Sequence, residues 1–223
     1  MPLKDDFLTR MTERLEQTLL EVENLTGQGR VDEALEHINT AYRESTGSDA
    51  QMVHRLSTDD LLNLLSTTGV FEVEKALFMA ELLYAEAKVQ GAQGVTVGAH
   101  THFKTLELYL HALTTEAGLI AFYREKVSRL LRILDSLPLV TERRVFEYDA
   151  LRGDFAGAED RLFALLEQTP GGELLERGLE FYTHLLTLPD ETLEAGNLPR
   201  DEVEESLASL KEMRTSVQAG TPA

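Results

Sequence analysis

Cysteine and tryptophan are absent from this chain of 223 residues, and aromatic residues make up 7 % of it. Without cysteine there are no disulfides and no thiolate ligands for a metal ion. The scarcity of aromatic side chains leaves no stacking platform of the kind that binds single-stranded nucleic acid. No apolar run reaches the roughly 18 residues that span a bilayer. These absences exclude a disulfide-stabilised scaffold, and we expect no membrane partner.

Acidic residues outnumber basic ones, with 39 Asp and Glu against 21 Lys and Arg and a formal net charge of −18. Because an acidic surface repels phosphates, we expect no nucleic-acid partner. Residues 124–144 are the exception, with six basic and three acidic side chains. Residues 1–6 contain no basic region followed by an apolar stretch, which predicts a cytoplasmic location without export.

Apolar residues recur at three- and four-residue steps along most of the chain, which is the period of an amphipathic helix. Leu15, Leu19 and Val22 follow this spacing in the first predicted helix. No segment of any length shows the two-residue period of a strand. The pattern predicts an all-α fold of stacked antiparallel helical hairpins with about nine or ten helices. We expect a single domain over residues 1–215 and a flexible tail over residues 216–223.

Two segments of the chain share one helix–turn–helix pattern. Gly29 and Gly153 each follow an amphipathic stretch, and Ala34 and Ala158 each lie five residues further on. Glycine favours the left-handed conformation that ends a helix, and alanine lets a second helix pack closely against the first. The pattern predicts a helical hairpin at each position, with a positive φ at both glycines.

Two further segments stand out from the regular pattern. Residues 91–98 contain three glycines and two valines, which predicts a loop, continuing to His102, that is mobile and dispensable for folding. Residues 119–137 carry an apolar stripe opposite basic side chains, which predicts one helix with a basic polar face, ended by Pro138.

The first predicted helix carries an apolar stripe with two interpretations. It fits the hydrophobic core, or it fits the seam of a homodimer, so a homo-oligomer is a second kind of partner. The stripe consists of Phe7, Met11, Leu15 and Val22.

Three segments, residues 15–44, 79–114 and 144–170, resemble tetratricopeptide repeats. Such repeats pair two helices, with a glycine at the end of the first helix and a small residue early in the second. The matching positions are Gly29, Ala34, Ala41, Gly153, Ala158 and Pro170. The middle segment departs from this pattern, because its loop is longer and Thr105 stands where a small residue is expected. The resemblance implies a fold of paired helices.

A closer resemblance covers residues 5–115, which are similar to an uncharacterised bacterial family of small tetratricopeptide-like helical proteins, a domain of unknown function. The similar positions are the opening residues 6–11, the turn at residues 29–35 and the segment of residues 56–65. This resemblance implies a fold, and it carries no catalytic residues. The sequence itself has no cysteine nucleophile, no Gly-x-Ser-x-Gly turn and no phosphate-binding glycine loop with its lysine, so we expect no enzyme and no cofactor.

One cluster of histidines suggests a metal site as an alternative. Glu107 and His111 are four residues apart on a predicted helix, and His100 and His102 lie in the adjoining predicted loop. Helical carboxylate sites use Glu-x-x-His on several helices, and the His-Glu-x-x-His zinc pattern is absent. Ordinary pairs on a helix surface therefore compete with the metal interpretation.

The basic stretch provides the main candidate site. Its six cations could form a cradle for an acidic peptide or a carboxylate terminus, because arginine pairs with carboxylates in a bidentate geometry. They could instead pair with acids on neighbouring helices. The six residues are Arg124, Lys126, Arg129, Arg132, Arg143 and Arg144. The sequence thus predicts a non-enzymatic protein–protein interaction module, with a metal- or small-molecule-binding helical sensor or enzyme that uses the His100–His111 region as the alternative.

Overall fold

The structure, a computed structural model, describes the backbone of residues 2–67, 69–169 and 172–219. It describes the side chains of residues 13–45, 47–66, 69–169 and 172–216. Over this part of the chain the fold is all-α, as the sequence predicts, with twelve α-helices and two strands of two residues each. Of the helices described, none is long and apolar enough to cross a membrane.

The elements follow one another along the chain with short connections. The helices are α1 (Pro2–Gly27), α2 (Val31–Thr46), α3 (Ala50–Arg55), α4 (Thr58–Leu64), α5 (Val73–Ala92), α6 (Ala99–Thr115), α7 (Ile120–Ile133), α8 (Leu139–Leu151), α9 (Phe155–Gln168), α10 (Gly172–Leu185), α11 (Asp190–Ala195) and α12 (Arg200–Ala219). The strands are β1 (Ser66–Thr67) and β2 (Val70–Phe71), which pair antiparallel. A 3-10 turn, Ala117–Leu119, precedes α7.

The described helices exceed the predicted nine or ten, and the difference lies in short elements. Helix α11 has six residues and was not expected, because the prolines on either side of it suggested a break. Pro189 instead stands at the N-cap of α11 with φ −62°, an angle that suits the entry to a helix. The strand pair is also a finding, since a two-residue strand is too short to show a period.

The chain divides into two compact units, a first unit of residues Met1–Ser136 and a second unit of residues Leu137–Ala223. The prediction of a single domain over residues 1–215 stays a prediction. Helix α12 continues to Ala219, so the first four residues of the predicted tail have helical backbone. Residues 220–223 of that tail lie outside the described part.

Helical hairpins are the main packing motif of both units. Helices α1 and α2, α5 and α6, and α8 and α9 pack as pairs joined by turns of three to six residues. Gly29 has φ +75° and Gly153 has φ +79°, which confirms the predicted left-handed glycines. Ala34 and Ala158 are fully buried, so each second helix approaches its neighbour closely. Pro170, the last position that resembles a repeat, lies outside the described residues.

The predicted loop and the predicted basic helix both have different boundaries in the structure. Helix α5 continues to Ala92 and α6 begins at Ala99, so the loop is shorter than predicted and His100 and His102 lie in α6. Helix α7 ends at Ile133, because Leu134 has an extended backbone with ψ 108°. Pro138 therefore does not end that helix. It stands at the N-cap of α8.

Charged side chains are buried in the first unit. Lys104 is fully buried, and its Nζ donates hydrogen bonds to the carbonyl oxygens of Val53 at 3.0 Å and His54 at 2.8 Å. These carbonyls belong to the last turn of α3, where a cation is favourable because helix C-termini carry partial negative charge. Burial lowers the pKa of Lys104. Glu81 and Glu86 are buried as well, and most of the remaining described core is apolar, with Tyr42 and Tyr109 among its largest members.

The apolar stripe of α1 is described in part. Val22 is buried in the first unit and Leu15 is half-buried, which agrees with a core role for these two. The side chains of Phe7 and Met11 lie outside the described residues. The homodimer interpretation stays a prediction.

The second unit has an apolar interior built from α8 to α12. The ring of Phe181 lies 5.4 Å from that of Phe146 and 6.5 Å from that of Phe155, both with edge-to-face geometry. Edge-to-face aromatic pairs add stability beyond the area that they bury. Around them lie buried leucines, including Leu162 of α9, Leu193 of α11 and Leu210 of α12.

Candidate functional site

Three arginines of α7 are exposed. Arg124, Arg129 and Arg132 project into solvent, and they form no ion pair with any residue of the described part. Glu125, on the same helix, is also exposed, but it makes no ion pair with them. Helix α7 therefore presents three positive charges that no carboxylate of the described residues contacts at ion-pair distance.

Most other basic side chains of the described part behave differently, because each lies against a carboxylate. In the first unit Lys88 lies 3.2 Å from Glu23, and in the second unit Arg152 lies 2.8 Å from Asp149. Further cations in such pairs are Arg14, Arg30, Arg43, Lys75, Arg161, Arg177, Arg200 and Arg214. Arg55 and Lys211 are likewise exposed without an ion pair among the described residues, so α7 is distinguished by carrying three such cations on one helix.

Apolar side chains lie on the same side of α7 as Arg129. At 100° per residue, positions 122, 126, 129 and 133 form one stripe along a helix. Phe122 is 76 % exposed and Ile133 is 43 % exposed, with Arg129 between them. We name the exposed side chains Phe122, Arg129, Arg132 and Ile133, together with Arg124 at the far edge of the exposed surface about 160° from Phe122 around the helix, the α7 face. It combines unpaired positive charge with exposed apolar surface.

Lys126 has a separate role from the three arginines. Its Nζ lies 2.5 and 2.6 Å from the two carboxylate oxygens of Glu81, which is 3 % exposed on α5. The hydroxyl of Tyr109 donates to the same carboxylate at 2.7 Å. Burial and the negative charge of Glu81 raise the pKa of Tyr109 well above its usual value. The Lys126 ammonium is therefore neutralised by a buried acid.

The two remaining arginines of the predicted cradle belong to the second unit. Arg143 and Arg144 lie on α8 and are half-buried. Arg144 has an interaction partner within the structure, and the Nε of Arg143 is buried with no hydrogen-bond partner among the described residues. Of the six predicted residues, four thus lie on α7, and three of these are exposed without an ion pair among the described residues. A cradle that includes all six stays a prediction.

The histidines of the metal alternative lie along α6. His100 is exposed and His102 is half-buried. Partial burial lowers the pKa of both histidines. The positive charge of Lys104 lowers that of His100 further, and the positive charge of Arg129 does the same for His102. The ring Nδ1 of His111 lies 3.0 Å from the backbone oxygen of Glu107. Among the described residues, no three His, Asp or Glu side chains converge as a metal site requires. The alternative gains no support from this geometry.

A groove of about 430 Å³ lies between α1 and α5 in the first unit. Its walls are largely apolar, formed by Leu19, Val22, Ala85, Val89 and Ala92. Tyr84 and Lys126 line it too, and the Lys126 ammonium lies 5.6 Å from the centre of the Tyr84 ring. Its volume is within the range of about 300–1,000 Å³ of ligand sites. We name this cavity the α1–α5 groove.

The sequence does not indicate Glu81, Tyr84 or Leu19 as site residues. Glu81 and Tyr84 lie in a helix that is apolar on most sides, so no amphipathic pattern separates them from core positions. Leu19 has the spacing of a core residue, and its position at the groove depends on how α1 packs against α5. No pattern within one helix could reveal a cavity between two helices.

A family model described as a family of unknown function, DUF6483, matches residues 2–215. No curated protein and no solved structure matches the chain. The match extends well beyond the residues 5–115 for which the sequence indicates a resemblance. It covers both units.

Proposed function

The chain belongs to the DUF6483 family of unknown function, and we propose that it is a non-enzymatic interaction module whose α7 face binds an acidic segment of a protein partner. The observation that carries this proposal is the set of three exposed arginines that lack an ion pair among the described residues. In a chain with a net charge of −18, carboxylates are abundant. Positive charges left unpaired in such a chain are available to a carboxylate from another molecule.

The chemistry of arginine favours carboxylates on the partner. The guanidinium group is planar and binds both oxygens of a carboxylate at once, which gives direction as well as attraction. Phe122 and Ile133 flank Arg129 along the helix and supply apolar contacts. The proposed partner segment therefore alternates Asp or Glu with apolar side chains. Such a segment satisfies both kinds of group on the α7 face.

The proposal includes a tetratricopeptide-like arrangement of the helical hairpins. The left-handed glycines at positions 29 and 153 and the buried alanines at positions 34 and 158 support it, because they are the features such hairpins require. Paired helices of this kind offer grooves and faces for peptides. A cytoplasmic location, predicted from the sequence, is part of the same proposal.

A set of labelled acidic peptides tests the α7 face. Twelve-residue peptides that alternate Glu with Leu or Phe are titrated with the full chain, and binding is followed by fluorescence anisotropy. We expect R129E/R132E to weaken binding about tenfold or more, because two attractive contacts become repulsive. Raising the salt concentration should weaken wild-type binding as well, since exposed charges are screened.

The matched control is R30E/R43E, which makes the same change in net charge at two exposed arginines that already have partners. The control should bind the peptides as the wild type does, within about twofold. If both double variants lose the same amount of peptide affinity, net charge alone explains the effect and the proposal is overturned. Absence of binding by every acidic peptide would overturn it too.

A further inference from the structure

We propose that the α1–α5 groove binds an elongated, uncharged apolar molecule that carries one hydrogen-bond-accepting carbonyl group. The groove is distinct from the α7 face, because it uses none of the three unpaired arginines. The proposal therefore does not depend on the proposed function. The apolar walls, the length of the groove and the state of Lys126 define the chemistry of the ligand.

The shape of the groove indicates an elongated ligand. Its α1 wall runs from Leu19 to Gly27, and its α5 wall runs from Glu81 to Ala92. At 1.5 Å per residue, the α1 wall is about 12 Å long, which matches an extended chain of about ten atoms. Glu23 and Lys88 form an ion pair at 3.2 Å between the two helices. Apolar side chains form most of the remaining lining, so the body of the ligand is apolar.

Lys126 defines the head group. Two of its three N–H donors are directed to the oxygens of Glu81, and the described part of the chain offers no further acceptor at hydrogen-bond distance. Lys126 is one-third exposed and lines the groove, with its Nζ 5.6 Å from the Tyr84 ring centre and 5.8 Å from that of Tyr123, and the proposal assigns its third donor to a ligand in the cavity. A ligand oxygen that accepts one hydrogen bond would give the third N–H donor of Lys126 its partner.

The charge balance at this end of the groove selects a neutral head group. Glu81 is 4 % exposed as a side chain and balances the positive charge of Lys126. A ligand carboxylate would approach both an ammonium and a buried carboxylate, so attraction and repulsion nearly cancel while the anion loses its water. A carbonyl group of an ester, amide or ketone gains the hydrogen bond without that loss. The preference for a neutral head over an anionic one is the distinctive property of this site.

Calorimetric titration of the full chain with methyl esters of hexanoic, heptanoic and octanoic acid tests the apolar body. Each added CH₂ should tighten binding about fourfold, as expected for burial of one methylene. Octanoate and octyltrimethylammonium, with the same chain and a charged head, should bind at least about tenfold more weakly than methyl octanoate. Affinity that does not depend on chain length, or tighter binding of octanoate than of the ester, would overturn the proposal.

Neighbouring leucines of α1 provide a matched pair of variants. Leu19 lines the groove, whereas Leu20 is 67 % exposed and does not. Leu19→Ala should weaken methyl octanoate binding about tenfold, and Leu20→Ala should leave it unchanged. Equal effects of the two variants would contradict binding in this groove.

Glu81→Gln tests the head-group site, because the substitution should change which head group the site prefers. Without the buried carboxylate, the charge of Lys126 is no longer balanced, and octanoate should now bind more tightly than methyl octanoate. Circular dichroism establishes that the variant is folded. If a folded Glu81→Gln protein still prefers the ester, Lys126 does not hold the head group and the proposal fails. If this variant does not fold, the chain-length series and the two leucine variants decide the outcome.

Discussion

The two units have helical hairpins in common but differ in what they bury. In the first unit the described interior includes the charged side chains of Glu81, Glu86 and Lys104, each held by a specific partner. In the second unit the described interior is mainly an aromatic and aliphatic cluster around Phe181. Asp149 is buried there, and Arg152 and Arg161 neutralise it, each at 2.8 Å. One kind of hairpin thus accommodates two kinds of interior.

The difference matters because the candidate sites lie in the unit with the charged interior. Glu81 holds Lys126 at the end of the α1–α5 groove, and Lys126 shares a helix with the exposed arginines. Buried polar groups cost free energy unless every donor and acceptor has a partner. We therefore expect the first unit to be sensitive to the loss of charge and the second unit to the loss of volume.

The largest expected effect is the removal of Phe181. Its ring contacts Phe146, Phe155 and Tyr182, so Phe181→Ala leaves a cavity and should cost about 3–5 kcal/mol. Hydrogen exchange should show this loss in the amides of α10 and α12. The matched control is Phe122→Ala, at a ring that is 76 % exposed, which should change stability by less than about 0.5 kcal/mol. Similar losses of stability for the two variants would contradict the difference in packing between Phe181 and Phe122.

Removal of a buried charge is the corresponding test in the first unit. Glu81→Gln keeps the shape of the side chain but leaves Lys126 without its counter-charge, and it should cost about 2 kcal/mol. Lys126 is one-third exposed, so water limits the cost. Hydrogen exchange of the α5 and α6 amides measures this loss of stability.

Glu159→Gln in the second unit is the comparison for Glu81→Gln. Glu159 accepts hydrogen bonds from the neutral hydroxyls of Tyr182 and Ser206, both at 2.7 Å. Because no cation loses its partner, the cost should be about 1 kcal/mol. A larger loss at position 159 than at position 81 would reverse the proposed difference between the units.

Alkaline pH should affect both units through buried tyrosines. Burial raises the pKa of Tyr109 in the first unit and of Tyr182 in the second, and the charges of Glu81 and Glu159 add to it. An unfolded tyrosine loses its proton near pH 10, whereas the folded one keeps it. Above that pH the unfolded state binds fewer protons, so stability falls by up to about 1.4 kcal/mol per pH unit for each tyrosine.

Urea denaturation between pH 8 and pH 11 measures this dependence. Tyr109→Phe and Tyr182→Phe should each make the alkaline loss less steep, because each removes one group whose pKa differs between the two states. A slope that neither variant changes would mean that these tyrosines do not cause the alkaline loss.

A small effect is expected that the two units share. Gly29→Ala and Gly153→Ala should each cost about 1 kcal/mol, because an L side chain is strained at positive φ. A Cβ atom at either position meets no atom within 4 Å, so the cost is conformational. Gly27→Ala, at a helical glycine with equal space, is the control and should not destabilise the protein. Melting curves compare the three variants, and equal stability of all three would contradict the capping role.

These shared turns are the part of the fold that the sequence predicts best. The conformation of Gly29 and Gly153 depends on local chemistry, and the helical period depends on local spacing. Boundaries were less accurate where local signals compete. The apolar pattern continues past Ile133, but the extended conformation of Leu134 ends α7.

The candidate sites were predictable only in part, because they depend on contacts between helices. The basic composition of α7 is visible in the sequence, and three of its arginines are exposed as that composition suggests. The sequence does not show which basic side chain will lie next to an acidic one. Lys126 reaches Glu81, 45 residues away along the chain, and Lys104 reaches the backbone of α3. The α1–α5 groove likewise exists only once the helices have packed.

Crosslinking from Phe122 tests most directly whether the α7 face is the recognition surface. Phe122 is replaced by the photoreactive p-benzoylphenylalanine, and Leu151, an exposed residue of the second unit, receives the same group as a control. After irradiation with a proteome digest or the acidic peptide set, mass spectrometry identifies the attached segments. We expect position 122 to attach to segments rich in Asp and Glu, and R129E/R132E to abolish this enrichment. Segments of random charge at position 122, or the same acidic segments at position 151, would contradict the proposed role of the α7 face.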